Sequence, residues 1–214
     1  MDEIYKQKRE LSEQWRNEGI NERIIQAFLA TPRELFVPPE YKREAYLDTA
    51  LPTIQGQTIS QPSTIVTMLH ILDIRKEHKV LEIGTGTGYQ AALMSHIVKN
   101  EGKVISIEII PELVKEARKN MKKLHITNVT ILEKDGNEGH KEEAPYDRII
   151  LAAACQEIPP KLIKQLKEEG IIVAPIGQKT QQTLVKGAKR GEKINYEYFG
   201  SYQFVPLVKK QIVK

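Results

Sequence analysis

Three glycines and two carboxylates are spaced as a cradle for a small molecule. Gly84, Gly86 and Gly88 follow the apolar run Lys79-Val80-Leu81-Glu82-Ile83 and precede Tyr89-Gln90, so a buried strand runs into a glycine-rich turn that opens a helix. Gly84 and Gly86 carry no Cβ, which lets the chain turn left-handed and lets its backbone approach a ligand closely. A dinucleotide fingerprint runs G-x-G-x-x-G, but here the third glycine comes one place early, at Gly88, and Tyr89 stands where the fingerprint has glycine. Pyrophosphate binding is disfavoured. Glu82, two residues before Gly84, is expected to place a carboxylate near the turn, where it would repel phosphate and suit the cationic methionine end of S-adenosylmethionine. Glu108 closes a second strand-like run from Lys103, at the spacing of an acidic ligand for both ribose hydroxyls. The pattern points to a methyl donor, while the glycines alone also fit a plain βαβ turn.

The elements that must position these groups alternate. Strands are expected over 79–83, 103–108, 129–132, 146–152 and 171–176, with helices over 111–124 and 159–166 between them. Gly170 reads as the stop of the second of these helices. Segments 183–189 and 194–208 alternate like antiparallel strands. Ahead of this core, Ile24, Ile25 and Phe28 share one helical face, 48–60 reads as a loop, and Ser60-Gln61-Pro62 reads as a serine cap before a helix carrying Ile65, Met68, Leu69 and Leu72. The expected fold class is α/β: a doubly wound, Rossmann-like, S-adenosylmethionine-dependent methyltransferase fold, with a mostly parallel sheet, antiparallel strands near the C-terminus and N-terminal helices packed over it. One domain is expected over 1–214, in which 1–75 contributes the substrate loop and 76–214 binds the donor. Gly84, Glu108 and Asp135 all fall at strand carboxyl ends, where open sheets bind ligands. Asp135 then accepts a bond from the adenine amino group, or is an ordinary turn aspartate before Gly136.

Bulk properties exclude other classes. The formal charge of +4 sits on alternating lysines and glutamates, as in Lys167-Glu168-Glu169, which reads as a solvated surface and not a nucleic-acid footprint. Cys155 is the single cysteine among 214 residues, so no internal disulfide forms, and the five histidines show no ligand spacing, so no metal is expected. The amino end, Met1-Asp2-Glu3, is charged and no apolar run approaches ~20 residues. A cytoplasmic protein without membrane contact is expected, with a monomer as the default.

Four segments carry a further signal: Thr31-Pro32-Arg33-Glu34-Leu35-Phe36-Val37-Pro38; Gly56-Gln57-Thr58-Ile59-Ser60-Gln61-Pro62; Val80 through Gln90; and Ala144-Pro145-Tyr146-Asp147 with Phe204-Val205-Pro206-Leu207. Together they resemble the protein-L-isoaspartate O-methyltransferase family over nearly the whole chain, and the second segment is its most specific part. The resemblance implies methylation of the free α-carboxyl group of L-isoaspartyl residues in damaged proteins and peptides, giving an ester that collapses to succinimide, with S-adenosyl-L-homocysteine as the other product. It implies Ser60 as the functional residue beside the acceptor. Donor contacts fall by the same resemblance on Thr58, Ser63, Glu82, Gly84, Thr85 and Gly86, and on Glu108, Ile109, Asp135 and Gly136. Peptide contacts fall on Ile54, Gln57, Thr58, Ile59 and Val205. Many relatives carry glycine at Ile54, histidine at Ser63 and tryptophan at His140.

That chemistry agrees with the residues present. A carboxylate with a reference pKa near 4 is ionised at pH 7 and attacks a sulfonium methyl without a general base. Ser60 then orients the acceptor through its hydroxyl, a role compatible with capping a helix. Two rivals remain at this point: an RNA methyltransferase, prompted by a pI near 9.0 and by Cys155 just after a strand, and a non-catalytic donor-binding module. Cys155 follows three alanines where cytosine-5 enzymes place proline, which favours a small buried residue.

Overall fold

The computed structural model describes residues 2–178 and 180–208. Segment 48–60 is more ordered than a loop: β1 (Leu51–Pro52) and β2 (Thr58–Ile59) pair antiparallel as a miniature hairpin, with Gln55 and Gly56 at φ 59° and 66° in its tip. The main sheet comprises β3 (Lys79–Ile83), β4 (Lys103–Glu108), β5 (Val129–Glu133), β6 (Tyr146–Leu151), β7 (Leu166–Gln178), β8 (Gln181–Arg190) and β9 (Lys193–Tyr202). Their order is β5-β4-β3-β6-β7-β8-β9. The pairings among β3 to β7 are parallel, and β7, β8 and β9 pair antiparallel. The fold is therefore the expected doubly wound α/β architecture, a mostly parallel sheet with antiparallel strands near the C-terminus.

Period-two alternation splits the sheet into two apolar faces. Val80 and Val104 point into the larger core, which holds the N-terminal helices α1 (Asp2–Asn17), α2 (Glu22–Ala30) and α3 (Pro62–Ile71) with α4 (Tyr89–Val98) and α5 (Pro111–Lys123). Leu81, Ile83, Ile105 and Ile107 point the other way, onto α6 (Pro160–Lys164) and its flanks. In α4 every residue but His96 is buried, as befits a helix layered between the sheet and α2. In α2, Ile24, Ile25 and Phe28 are buried as their spacing demands, and Phe28 meets Trp15 edge-on at 4.7 Å.

Four expectations are corrected. Ser60 does not cap α3: Gln61 occupies the cap, Pro62 opens the first turn, and the Ser63 amide donates to Asp48 Oδ1 at 2.8 Å. A carboxylate fifteen residues upstream thus satisfies the orphan donor that the serine was expected to hold. The helix after Pro159 is only five residues long, because the Gln165 carbonyl accepts from the Tyr146 amide at 2.8 Å and Leu166 already pairs with Tyr146 in the sheet. Gly170 lies inside β7, in the irregular stretch where the register shifts, and a Cβ there would stand 2.7 Å from Leu166 Cγ. Finally, the last antiparallel strand ends at Tyr202, and beyond it the chain meets Ala154 only through an isolated bridge at Pro206.

Candidate active site

The glycine turn follows β3 directly. Gly84, Gly86 and Gly88 stand at φ 92°, 56° and 92°, the left-handed region that glycine enters without steric cost. The three differ in purpose. A Cβ on Gly86 would meet nothing within 4 Å, so its bare α-carbon faces open space, whereas one on Gly88 would come within 2.9 Å of Met121 Cε, so Gly88 admits α5. Asn120, buried on α5, donates to the Thr87 carbonyl at 3.0 Å and pins the turn from behind.

Glu108, at the end of β4, closes the cradle. Its Oε2 accepts from the Gly86 amide at 2.9 Å, and its Oε1 from the Ile109 and Ile110 amides at 2.8 and 3.0 Å. A carboxylate offers roughly four lone-pair positions, so about one stays open to a ligand hydroxyl. Accepting from both ribose hydroxyls, as expected from the sequence, requires one backbone bond to yield.

A cavity of about 390 Å³ opens above the turn, beyond the carboxyl ends of β3, β4 and β6 where the strand order reverses. Its floor is the turn and Glu108, one wall is Ile109, Ile110 and Leu113, and the facing wall is Val205, Pro206, Leu207 and Val208. The Ala154 amide holds this facing wall through the Val205 carbonyl at 2.8 Å, and the Leu207 amide returns a bond to the Ala154 carbonyl at 2.7 Å. A second cavity of about 550 Å³ is lined by Thr49, Gln61, Thr64, Thr67, Tyr202 and Phe204 among others. Thr58, Ser60, Ala152 and Val205 line both. Ser60 therefore stands at the junction of two cavities. Its carbonyl accepts from Arg33 Nη2 at 2.8 Å, and Arg33 is fully buried.

Of the expected contacts, Thr58, Gly84, Thr85, Gly86, Glu108, Ile109 and Gly136 line the first cavity, together with Gln57, Ile59, Ser60 and Val205. Four do not. Glu82 points away from the turn, because alternation along β3 directs it beneath α4, where it accepts from Gln90 at 3.0 Å and from Ser106. It is wholly buried, and that burial pushes its carboxyl up to about 8, so it is mostly protonated at neutral pH. Glu82 therefore does not present the expected carboxylate to the turn. Ser63 accepts from Trp15 Nε1 at 2.8 Å and faces the second cavity. Ile54 is exposed at the hairpin tip and lines neither cavity. Asp135 folds back onto Asn137, accepting from its amide at 2.9 Å and its Nδ2 at 2.8 Å, and faces a neighbouring cleft that also holds Cys155. Gly136 alone of that pair lines the first cavity, packed so closely on Ile83 that a Cβ would overlap its Cγ2.

Sequence reasoning missed Ala152 and Ala153, which directly follow β6 and were legible as positions beyond a strand's carboxyl end, and it missed Arg33, which carried no signal beyond its motif. His140, the expected departure, turns its Nδ1 to Glu142 at 2.7 Å while its amide donates to Gln165 at 2.8 Å. No histidine lines either cavity. Burial pushes the Cys155 thiol up to about 11, away from thiolate chemistry. Among the described residues no group of three or more His, Cys, Asp or Glu could hold a metal, and no helix is long and apolar enough to cross a membrane.

A family model described as "Protein-L-isoaspartate(D-aspartate) O-methyltransferase (PCMT)" matches residues 6–212. The chain is 45% identical over 205 residues to protein-L-isoaspartate O-methyltransferase 2 of Archaeoglobus fulgidus, covering 95% of this chain and 94% of the relative. Among solved structures, a protein-L-isoaspartate O-methyltransferase superposes with a TM-score of 0.85 at 32% identity, over 93% of this chain and 65% of that one. A Plasmodium falciparum structure holding S-adenosyl-L-homocysteine shares the fold, with a TM-score of 0.81 at 24% identity over 94% and 98% of the two chains.

Proposed function

Because the chain belongs to the protein-L-isoaspartate(D-aspartate) O-methyltransferase family, we propose that its two joined cavities divide donor from acceptor and that Ser60 works between them. The activity is transfer of a methyl group from S-adenosylmethionine to the free α-carboxyl group of L-isoaspartyl residues in damaged proteins and peptides. The methyl ester then collapses to a succinimide that water reopens in part to normal aspartate.

The first cavity suits the donor. Its volume of about 390 Å³ lies within the ~300–1,000 Å³ of small-molecule sites. The open face of Gly86 admits close approach, Glu108 offers an acceptor for a ribose hydroxyl, and Ile109 with Ile110 offers an apolar wall to a base. S-adenosylmethionine, when bound there, supplies a methyl carbon carried on a sulfonium sulfur. Asp135 faces the neighbouring cleft, so Gly136 is the member of the pair that lines this cavity and leaves room for a base.

The second cavity suits the damaged peptide. Among the described residues lining it none is charged, while hydroxyls and amides are frequent, as in Thr49, Gln61, Thr64 and Thr67. Such a surface bonds to backbone groups whatever the flanking side chains. Thr58 and Val205 line it as well as the first cavity, and Gln57 and Ile59, beside Thr58 in the chain, line the first.

The observation that carries this reading is the place of Ser60 at the junction. The acceptor carboxylate is ionised at neutral pH, so no residue has to remove a proton. Ser60 instead donates its hydroxyl proton to one carboxylate oxygen, a bond to a charged group worth roughly 1.5–3 kcal/mol, and leaves the other oxygen to react. Holding the two reactants at the junction supplies the larger share, on the order of 7–11 kcal/mol in well-oriented cases. A cytoplasmic monomer with no nucleic-acid partner belongs to the same reading, supported by the lone cysteine and the mixed surface charge.

Incubation with methyl-labelled donor and paired peptides, differing only in isoaspartate or aspartate at one site, tests the assignment. Base-labile label on the isoaspartyl peptide alone is expected. Label on transfer or ribosomal RNA instead, or donor binding without transfer, overturns it.

A further inference from the structure

The segment Thr31-Pro32-Arg33-Glu34 precedes every residue assigned so far, yet its arginine reaches the centre of the site. Arg33 has no exposed surface. Its Nε donates to the Ala45 carbonyl at 2.7 Å and its Nη2 to the Ser60 carbonyl at 2.8 Å. Its own amide donates to the Tyr46 hydroxyl at 3.1 Å, and that hydroxyl donates to Glu34 at 2.6 Å. The guanidinium carbon stands 5.0 Å from the centre of the Tyr89 ring, and Tyr89 is the first residue of the helix that the glycine turn opens. Four chain segments thus meet on one side chain.

Among the described residues none of its direct partners is a carboxylate. The bonds go to carbonyl oxygens and the stacking to a phenol, so the charge is buried without a salt bridge, an arrangement that costs stability unless it fixes something else. What it fixes is the distance between the acceptor serine and the donor turn: one end of the planar fork holds the backbone of Ser60, and its central carbon lies over the ring of Tyr89, which lines the donor cavity. A lysine would carry the charge but offers neither the fork nor the flat face.

We propose that Arg33 is a positioning residue that clamps the Ser60 backbone to the Tyr89 ring and so sets the serine hydroxyl against the donor. This rests on the assignment of Ser60 to the acceptor. With Arg33 altered, the serine backbone is free to drift while the donor cradle, built from Glu108 and the glycines, stays intact.

The test is a double-mutant cycle between Arg33→Lys and Ser60→Ala, read in kcat for an isoaspartyl peptide and in the Kd of S-adenosylhomocysteine by calorimetry. Arg33→Lys is expected to lower kcat about tenfold or more, to leave that Kd within about twofold, and to have almost no effect once Ser60→Ala is present. Unchanged kcat in Arg33→Lys overturns the proposal, as do losses that multiply in full in the double variant. Tyr46→Phe provides a second route should the lysine variant not fold, since it removes the hydroxyl that holds the Arg33 amide and keeps the charge. Its smaller loss of kcat must likewise vanish beside Ser60→Ala. If Ser60→Ala alone leaves kcat untouched, the reading of the serine fails; if Ser60→Ala slows turnover and Arg33→Lys still multiplies with it, only the clamp fails.

Discussion

Glu108 Oε2 accepts from the Gly86 amide at 2.9 Å, so the carboxylate expected to meet a ligand also splints the turn that receives it. The two tasks compete for the same lone pairs, and both are exposed by the same substitution. Glu108→Gln keeps the carbonyl acceptor but loses the charge and the second acceptor oxygen. Bonds to charged acceptors are worth roughly 1.5–3 kcal/mol, which converts to about 10- to 150-fold weaker donor binding. Calorimetric titration with S-adenosylhomocysteine checks this, and an unchanged Kd removes Glu108 from the donor site.

Gly86→Ala and Gly88→Ala should separate affinity from stability. Alanine at φ 56° costs roughly 1–2 kcal/mol of backbone strain. At Gly86 the new methyl also projects into the open cradle, so donor affinity is expected to fall at least tenfold with a Tm loss of only a few degrees. At Gly88 the methyl strikes Met121 within 2.9 Å and lies outside the cavity, so the Tm loss is larger and the affinity loss smaller. Paired melting curves and titrations check the order; the reverse order contradicts the account of the turn.

Glu82 should impose a pH dependence on stability. Burial raises its carboxyl from 4.5 to about 8 in the folded chain. Below pH 4.5 folded and unfolded chains both hold the proton; between there and about 8 the unfolded chain loses it while the folded chain keeps it, so stability falls as pH rises. The slope approaches about 1.4 kcal/mol per pH unit and levels off above the folded value. Glu82→Gln removes the effect, and denaturation of both proteins from pH 5 to 8 should show the variant gaining steadily on the parent. Parallel curves would mean that the buried carboxyl is already ionised.

Much of this was legible in the chain itself. The strands at 79–83, 103–108 and 146–151 announce themselves as largely apolar runs bounded by glycine or proline, because strands covered on both faces favour apolar residues on both sides of the pleat. The glycine turn and Glu108 were legible for the same local reason. What escaped depended on partners far away in sequence. Asp48 took over the capping of α3 from Ser60, Trp15 claimed the hydroxyl of Ser63, and sheet pairing with Tyr146 cut α6 short. Glu82 was misjudged on proximity to the turn, although the alternation of β3 already directed it under the helix. Arg33 could not be read at all without the fold, since its bonds span from Ala45 to Ser60.

The most direct measurement is the steady-state rate of Ser60→Ala on an isoaspartyl peptide, taken beside the affinity of the same variant for S-adenosylhomocysteine. With the hydroxyl at the junction orienting the acceptor, kcat/KM should fall about 10- to 150-fold, the equivalent of roughly 1.5–3 kcal/mol, while donor-site affinity stays within about twofold. An unchanged kcat/KM, or a loss of affinity accompanied by normal turnover, would contradict the account.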